Sequence, residues 1–288
     1  MQLFLQQILN GVVLGGMFAL MSVGLSMIFG VMKTAQFAYG ALYMLGGYVA
    51  YWSASLLHIP FVAAVGVAFL FMFAAGMAVE YVGFSRLRGN EDATLIFGLG
   101  LALIARGGAV IAWGSQGRFI ATPFHGAVRL GPFIVPAARM WAGVASFVIV
   151  ALVYVFMTQT RYGRSMRAVA DNAQRASLLG INTALRFAVV FGLGTALSAV
   201  ACVFLIPVFT LSPTVDDRAL YTAFAVVILD GLGSIVGCVA GAMVLGVVTT
   251  MAFGYTNSSI APAFPLLVLL LTLAFRPDGM FGARGRLA

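Results

Sequence analysis

The sequence predicts an all-α polytopic membrane protein with eight or nine transmembrane segments, some of them short or re-entrant. Three observations carry that prediction. The 288-residue chain is 62% hydrophobic and 8% charged, whereas soluble domains carry about 25% charged residues. Its mean hydropathy is +1.06. Its apolar runs repeatedly approach the ~20 residues that cross a hydrocarbon core.

Apolar segments fall near 9–31, 37–57, 61–83, 93–112, 140–158, 187–209, 219–229, 235–253 and 263–275. The seventh and ninth are too short for an upright span, which suits half-helices or helices that end in protein-lined cavities. No polar stretch much exceeds about 30 residues, so residues 1–288 read as a single transmembrane domain with one polar loop at about 159–186. The start, Met1-Gln-Leu-Phe-Leu-Gln-Gln-Ile8, has no basic stretch before its apolar run, and no cleaved signal peptide is expected. The 34 glycines fit helices that approach closely without a hydrophobic drive between them. Cys202 and Cys238 lie inside apolar segments and read as packing residues.

A net charge of +8 would suggest nucleic acid in a soluble protein. Here it reads as orientation, and no nucleic-acid partner is expected. Lys33, Arg86, Arg88, Arg161, Arg164, Arg167, Arg175, Arg186, Arg276, Arg284 and Arg286 fall on one side of the alternation. Arg118, Arg129, Arg139 and Arg218 fall on the other. The richer side is expected to be cytoplasmic, with the N-terminus outside and the C-terminus inside.

Two places break the helical pattern: Gly30-Val-Met-Lys-Thr-Ala-Gln-Phe-Ala-Tyr-Gly40 and Asp230-Gly-Leu-Gly-Ser234. Interrupted segments in corresponding halves mark a possible internal repeat and a transport path. Phe37, Tyr39, Gly40 and Tyr43 at the first break, and Asp230, Gly231, Gly233 and Ser234 at the second, are the candidate path residues. Tyr39 and Tyr43, four apart, share a helix face and either line a path or simply pack. Gly233, Gly237 and Gly241 read as a helix-crossing ladder. Asp230 is placed near mid-membrane, where it contacts a substrate ammonium, pairs with an arginine or sits in water.

The most hydrophilic segment runs from Arg161 to Ile181. It reads as one helix entered at Gly163 and closed by Gly180 in a left-handed stop after Leu178-Leu179. Arg164, Arg167, Asp171 and Arg175 share a face, and Asp171 is set to pair with Arg167 or Arg175. Ala168, Ala170, Ala173 and Ala176 keep the surface small, which would let another protein pack close. The alternative is a solvated basic loop that only fixes topology.

Gly163-Arg-Ser-Met-Arg-Ala-Val-Ala-Asp-Asn172, with Ala176-Ser-Leu-Leu-Gly-Ile-Asn182, resembles the cytoplasmic loop of permease subunits of branched-chain amino-acid ABC transporters. Gln36-Phe-Ala-Tyr-Gly-Ala-Leu-Tyr-Met-Leu-Gly46, Gly231-Leu-Gly-Ser-Ile-Val-Gly237 and Arg276-Pro-Asp-Gly-Met-Phe-Gly282 fit the same family in the same order. The resemblance implies a second related permease, cytoplasmic ABC ATPase subunits and a periplasmic substrate-binding protein as partners, in a bacterial inner membrane. It also implies that residues 164–179 dock in a groove of the ATPase, with Gly163, Arg164, Arg167, Ala170, Asp171, Arg175, Leu178, Gly180 and Ile181 as the coupling residues. Two positions depart from the family. Tyr39 stands where many relatives carry histidine, and Asp230 where they carry a small residue, so a family-wide role is not carried onto Asp230.

No enzyme activity is expected. The only lysine, Lys33, follows Met32 where a phosphate-binding loop needs glycine, so ATP would be used by a partner and no cofactor is held here. His58 and His125 give no metal spacing. Arg106 is expected to snorkel to the headgroups. Glu80, Arg86 and Arg88 resemble a charged family cluster imperfectly. The loop 113–139 and the region of Asp216, Asp217 and Arg218 are candidate outer contacts for the binding protein. The competing function is a gradient-driven small-molecule transporter or channel, for which only Asp230 and Glu80 offer coupling-ion carboxylates. An intramembrane enzyme is a weaker rival that lacks a catalytic cluster.

Overall fold

The computed structural model describes residues 2–34, 36–120, 122–124, 126–130, 133–230, 234–255 and 263–275. Gly231, Gly233, His125 and the stretch from Arg276, including Arg284 and Arg286, lie outside the described residues, as does the side chain of Asp230.

The bundle is built around α1 (Gln2–Met32), in which every residue from Leu14 to Ile28 is buried. A helix apolar on all faces needs neighbours all round. These are α10 (Ile235–Tyr255), α8 (Thr183–Leu205), α5 (Ala137–Gln159) and α9 (Val215–Asp230). The second half of α8, Gly194 to Leu205, is also wholly buried, and α2 (Tyr39–Leu56) and α3 (Phe61–Val82) pack on it. α4 (Glu91–Trp113) lies against α2, and α11 (Phe264–Phe275) against α9. α3, α4 and α5 turn Leu70, Phe71, Leu103, Ile104, Ile111 and Leu152 outward, as lipid-facing helices do.

Six helices are long and apolar enough to cross a membrane: α1, α3 with the 3-10 turn that extends it to Arg86, α4, α5, α8 and α10. The seventh and ninth expected segments are the short α9 and α11, of 16 and 12 residues. By length and apolarity, therefore, six of the expected eight or nine spans qualify among the described residues.

Polar connections are few. A hairpin of β1 (Ala127–Leu130) and β2 (Phe133–Pro136), antiparallel with Ala127 opposite Pro136, lies in the loop between α4 and α5. Gln6 of α1 tethers it: the Gln6 amide donates to the Ile134 carbonyl at 2.8 Å, and the Ile134 amide donates to Gln6 Oε1 at 3.2 Å.

Side-chain absence sets the crossing of α1 and α10. A Cβ on Gly246 of α10 would lie 2.5 Å from the Gly11 carbonyl and 2.6 Å from the Gly15 Cα of α1. Both are backbone atoms, so no side-chain rearrangement relieves the clash. Of the ladder expected at Gly233, Gly237 and Gly241, Gly233 lies outside the described residues and Gly241 faces α9. A Cβ on Gly241 would lie 3.3 Å from the Val226 carbonyl and from the Leu229 side chain of α9, a tighter approach than ordinary contact. Gly246→Val is expected to lower stability by about 2 kcal/mol through overpacking, read as a drop in the detergent unfolding midpoint. Gly100→Ala, which meets nothing within 4 Å, should leave the midpoint unchanged.

Candidate functional site

Three side-chain caps in succession shape the polar loop. Thr160 Oγ1 accepts the Gly163 amide at 3.0 Å and starts α6 (Arg161–Asp171). Asn172 Oδ1 accepts the Arg175 amide at 2.9 Å and starts α7 (Ala173–Leu178). Asn182 Oδ1 accepts the Leu185 amide at 3.1 Å and starts α8. The single helix expected over 164–179 is therefore two, broken because Asn172 satisfies the amides of a new helix rather than continuing the old one. The entry is Thr160, not Gly163. Gly163 allows α6 to fold back on α5, since a Cβ there would lie 2.4 Å from the Phe156 and Met157 carbonyls. Gly180 does adopt the left-handed conformation expected of it, with φ +79°.

The break changes which residues share a surface. Met166 and Val169 of α6 are buried in the bundle. Ala176 is buried, and Ala168, Ala170, Ala173 and Ile181 are half-buried, so the small residues mostly face this chain rather than a partner. Arg175, on α7, no longer continues the face of Arg164, Arg167 and Asp171. The exposed apolar residues are at the tip: Leu178 and Leu179 are 87% and 81% exposed. Leu179 was absent from the expected coupling set, although two adjacent leucines before a glycine stop were its visible signal.

Arg164, Arg167 and Asp171 border a cavity of about 1190 Å³. Its other walls are the last turns of α1 with Lys33, the last turn of α5 (Tyr154, Met157 and Thr158), and the start of α10 (Ser234, Ile235 and Val236). Both pattern breaks seen in the sequence thus reach this cavity. Arg167 also donates to the Thr158 carbonyl at 3.2 Å, holding α6 to the end of α5. Lys33 adopts φ +55°, left-handed for a residue with a side chain, where α1 stops.

Of the candidate path residues, Ser234 borders the cavity. Phe37, Tyr39, Gly40 and Tyr43 do not line it and instead form a packed joint. The Tyr39 hydroxyl donates to the Met21 carbonyl of α1, and Phe37 stacks on Phe224 of α9 at 5.7 Å. A Cβ on Gly40 would lie 2.4 Å from the Asp216 carbonyl. Tyr43 is fully buried. Asp230 is the last residue of α9, about 22 Å of helical rise beyond Val215. It is thus the end of a helix that starts four residues earlier than the apolar run suggests.

That earlier start has a cause. Asp216 and Asp217 occupy the first turn of α9, where the helix dipole favours acids, rather than an outer loop. Arg106 of α4 bonds both: its guanidinium donates to Asp216 at 2.7 Å and to Asp217, and to the Pro213 carbonyl at 3.4 Å. Arg106 is paired, not snorkelled. Glu80 is fully buried and ion-paired with Arg88, whose guanidinium lies 4.1 Å above the Phe187 ring of α8.

Residues 7–274 match the family model described as branched-chain amino acid transport system / permease component. The high-affinity branched-chain amino acid transport system permease protein BraD of Pseudomonas aeruginosa is 30% identical over 97% of this chain and 96% of its own length. The corresponding protein LivH of Escherichia coli K12 is 30% identical with the same coverage. A probable branched-chain amino acid transport permease protein of Methanocaldococcus jannaschii is 26% identical over 48% of this chain. No solved structure matches the chain.

The cavity predicts an accessibility pattern. In a background with Cys202 and Cys238, both buried, replaced by alanine, Thr158→Cys and Ser234→Cys should react with a hydrophilic maleimide supplied from the α6 end. Tyr43→Cys should not. Equal labelling at all three positions would contradict the packed joint.

Proposed function

The chain belongs to the permease components of branched-chain amino acid transport systems, and from that premise we propose how it works. It forms the membrane path of an ATP-driven importer for branched-chain or related amino acids. A periplasmic binding protein delivers substrate, a second related permease completes the path, and cytoplasmic ABC ATPase subunits supply the energy. The α6 end carries Lys33, Arg86, Arg88, Arg161, Arg164, Arg167, Arg175 and Arg186. That excess favours a cytoplasmic α6 end, with the N-terminus outside and the C-terminus in the cytoplasm of a bacterial inner-membrane protein.

One observation carries the coupling mechanism: a single loop walls the cavity with α6 and exposes two leucines at the end of α7. Leu178 and Leu179 offer the apolar anchor that helix-in-groove docking needs, each worth about 1.5–3 kcal/mol when buried. Closure of the ATPase pair would push α7. The cap at Asn172 and the contacts of α6 with α1, α5 and α8 would pass that push to the cavity wall. Arg164, Arg167, Ala170 and Asp171 then act at the cavity and on transmission, whereas Arg175, Leu178 and Gly180 present the docking tip.

The gradient-driven alternative loses a support, since Glu80 is already committed to Arg88.

Purified in mild detergent, the wild-type chain is expected to retain an ATPase and a second permease. Leu178→Asp/Leu179→Asp should keep the second permease and lose most of the ATPase, with uptake reduced at least about tenfold. Arg164→Glu/Arg167→Glu should retain more of the ATPase than the leucine variant while still impairing uptake. ATPase retention by the leucine variant at the wild-type level would move the docking surface elsewhere.

A further inference from the structure

We propose that the cavity is a return site for transported amino acid. A zwitterion with an apolar side chain binds there from the cytoplasm, lies against α6, and slows ATP turnover as product accumulates. The proposal rests on the importer reading above and specifies the ligand and the regulation of its cavity.

Antiparallel packing brings two helix ends of opposite polarity to one wall. α1 ends there, and the last carbonyls of a helix have no partner within it and carry partial negative charge. The Phe29 carbonyl accepts the Lys33 amide at 2.8 Å, and those of Gly30 and Val31 follow. α10 begins there. Ser234 Oγ takes the Gly237 amide at 3.1 Å, and the Ile235 and Val236 amides, at the positive end of the helix, have no acceptor within it. A carboxylate suits the α10 end and an ammonium the α1 end.

A second, independent feature points to a ligand. Ser26 borders the cavity from α1, is 2% exposed, and its hydroxyl has no hydrogen-bond partner among the described residues. A buried hydroxyl left unpaired is costly, and a bound polar group would satisfy it. Lys33, Arg164 and Arg167 alone would favour a simple anion. The α1 carbonyl end and the Asp171 carboxylate are acceptors that a simple anion cannot use, the Ser26 hydroxyl can donate or accept, and Met27, Met157 and Val236 supply apolar wall. The combination selects a hydrophobic amino acid over an inorganic anion.

The consequence follows from α6 being part of the same wall. An occupant that binds only while the cavity is open stabilises that state in proportion to its concentration and opposes inward movement of α6. Product in the cytoplasm then reports to the ATPase without a separate regulatory domain.

The test uses the whole complex in proteoliposomes with the ATPase face outward and substrate-loaded binding protein trapped inside. L-leucine added outside at millimolar concentration should slow ATP hydrolysis, about tenfold when it stands about ten times above its dissociation constant. The deaminated acid and the decarboxylated amine of leucine, each missing one charge, should not. Ser26→Val should raise the half-inhibiting leucine concentration about tenfold, the loss of one hydrogen bond to a charged group. Unslowed hydrolysis with leucine, equal slowing by either analogue, or an unchanged half-inhibiting concentration in Ser26→Val overturns the return site. Absence of any stimulation by loaded binding protein would instead overturn the importer reading.

Discussion

The close approach of α1 and α10 is the constraint from which the rest of the structure follows. In hydrocarbon, helices are not driven together by escape from water, so backbone proximity must supply the packing. Gly11 and Gly15 on α1, with Gly246 on α10, leave no side chain between the two backbones. Because the helices run antiparallel, this seam also fixes what happens at its far end, where α1 stops and α10 starts. There the seam opens, the breaks at Lys33 and Ser234 appear, and the cavity begins. The site and this close packing are two ends of one interface.

Charge performs at the periphery what glycine performs in the core. α3 and α4 expose most of their surface, and ion pairs help hold them to the buried helices. Arg106 links α4 to the first turn of α9 through Asp216 and Asp217. Arg88 links the turn after α3 to α8, joining buried Glu80 to the face of Phe187. An arginine suits such positions because its planar group can serve a carboxylate and stack on a ring. A buried carboxylate without its arginine would be strongly destabilising, so these pairs are read as structural joints rather than as ion-coupling sites.

Much of this was legible in the sequence, and the failures have a common physical origin. The helical class, the packing role of Cys202 and Cys238, the breaks near Lys33 and Ser234 and the left-handed Gly180 all express local chemistry. Arg106 was misread because its partners lie 110 and 111 residues away. The burial of Tyr39 and Tyr43 away from the cavity was not legible, because periodicity cannot say which face is inside when every face is apolar. The limits of α9 were missed for a related reason: two acids end an apolar run on paper, yet they open a helix when an arginine is there to receive them. Asn172 is different. Its capping chemistry was visible, but the continuous charged face from Arg164 to Arg175 outweighed it in the reading.

The joint at Asn172 matters for mechanism, because a continuous helix and a jointed one transmit force differently. One rigid helix with a charged face against the ATPase would carry both the docking contacts and the cavity wall in the same row of residues. Any change that improved one would disturb the other. The joint at Asn172 separates them. α7 ends in exposed leucines with little internal packing. α6 is anchored by Met166, Val169 and the fold-back at Gly163, and turns its charged residues toward the cavity. In the proposed coupling, a push on the tip would reach the wall through the cap at Asn172 and through the contacts of α7 with α6 and α8. Free-energy coupling is reciprocal, so in that proposal an occupant of the cavity would act back on the tip by the same route.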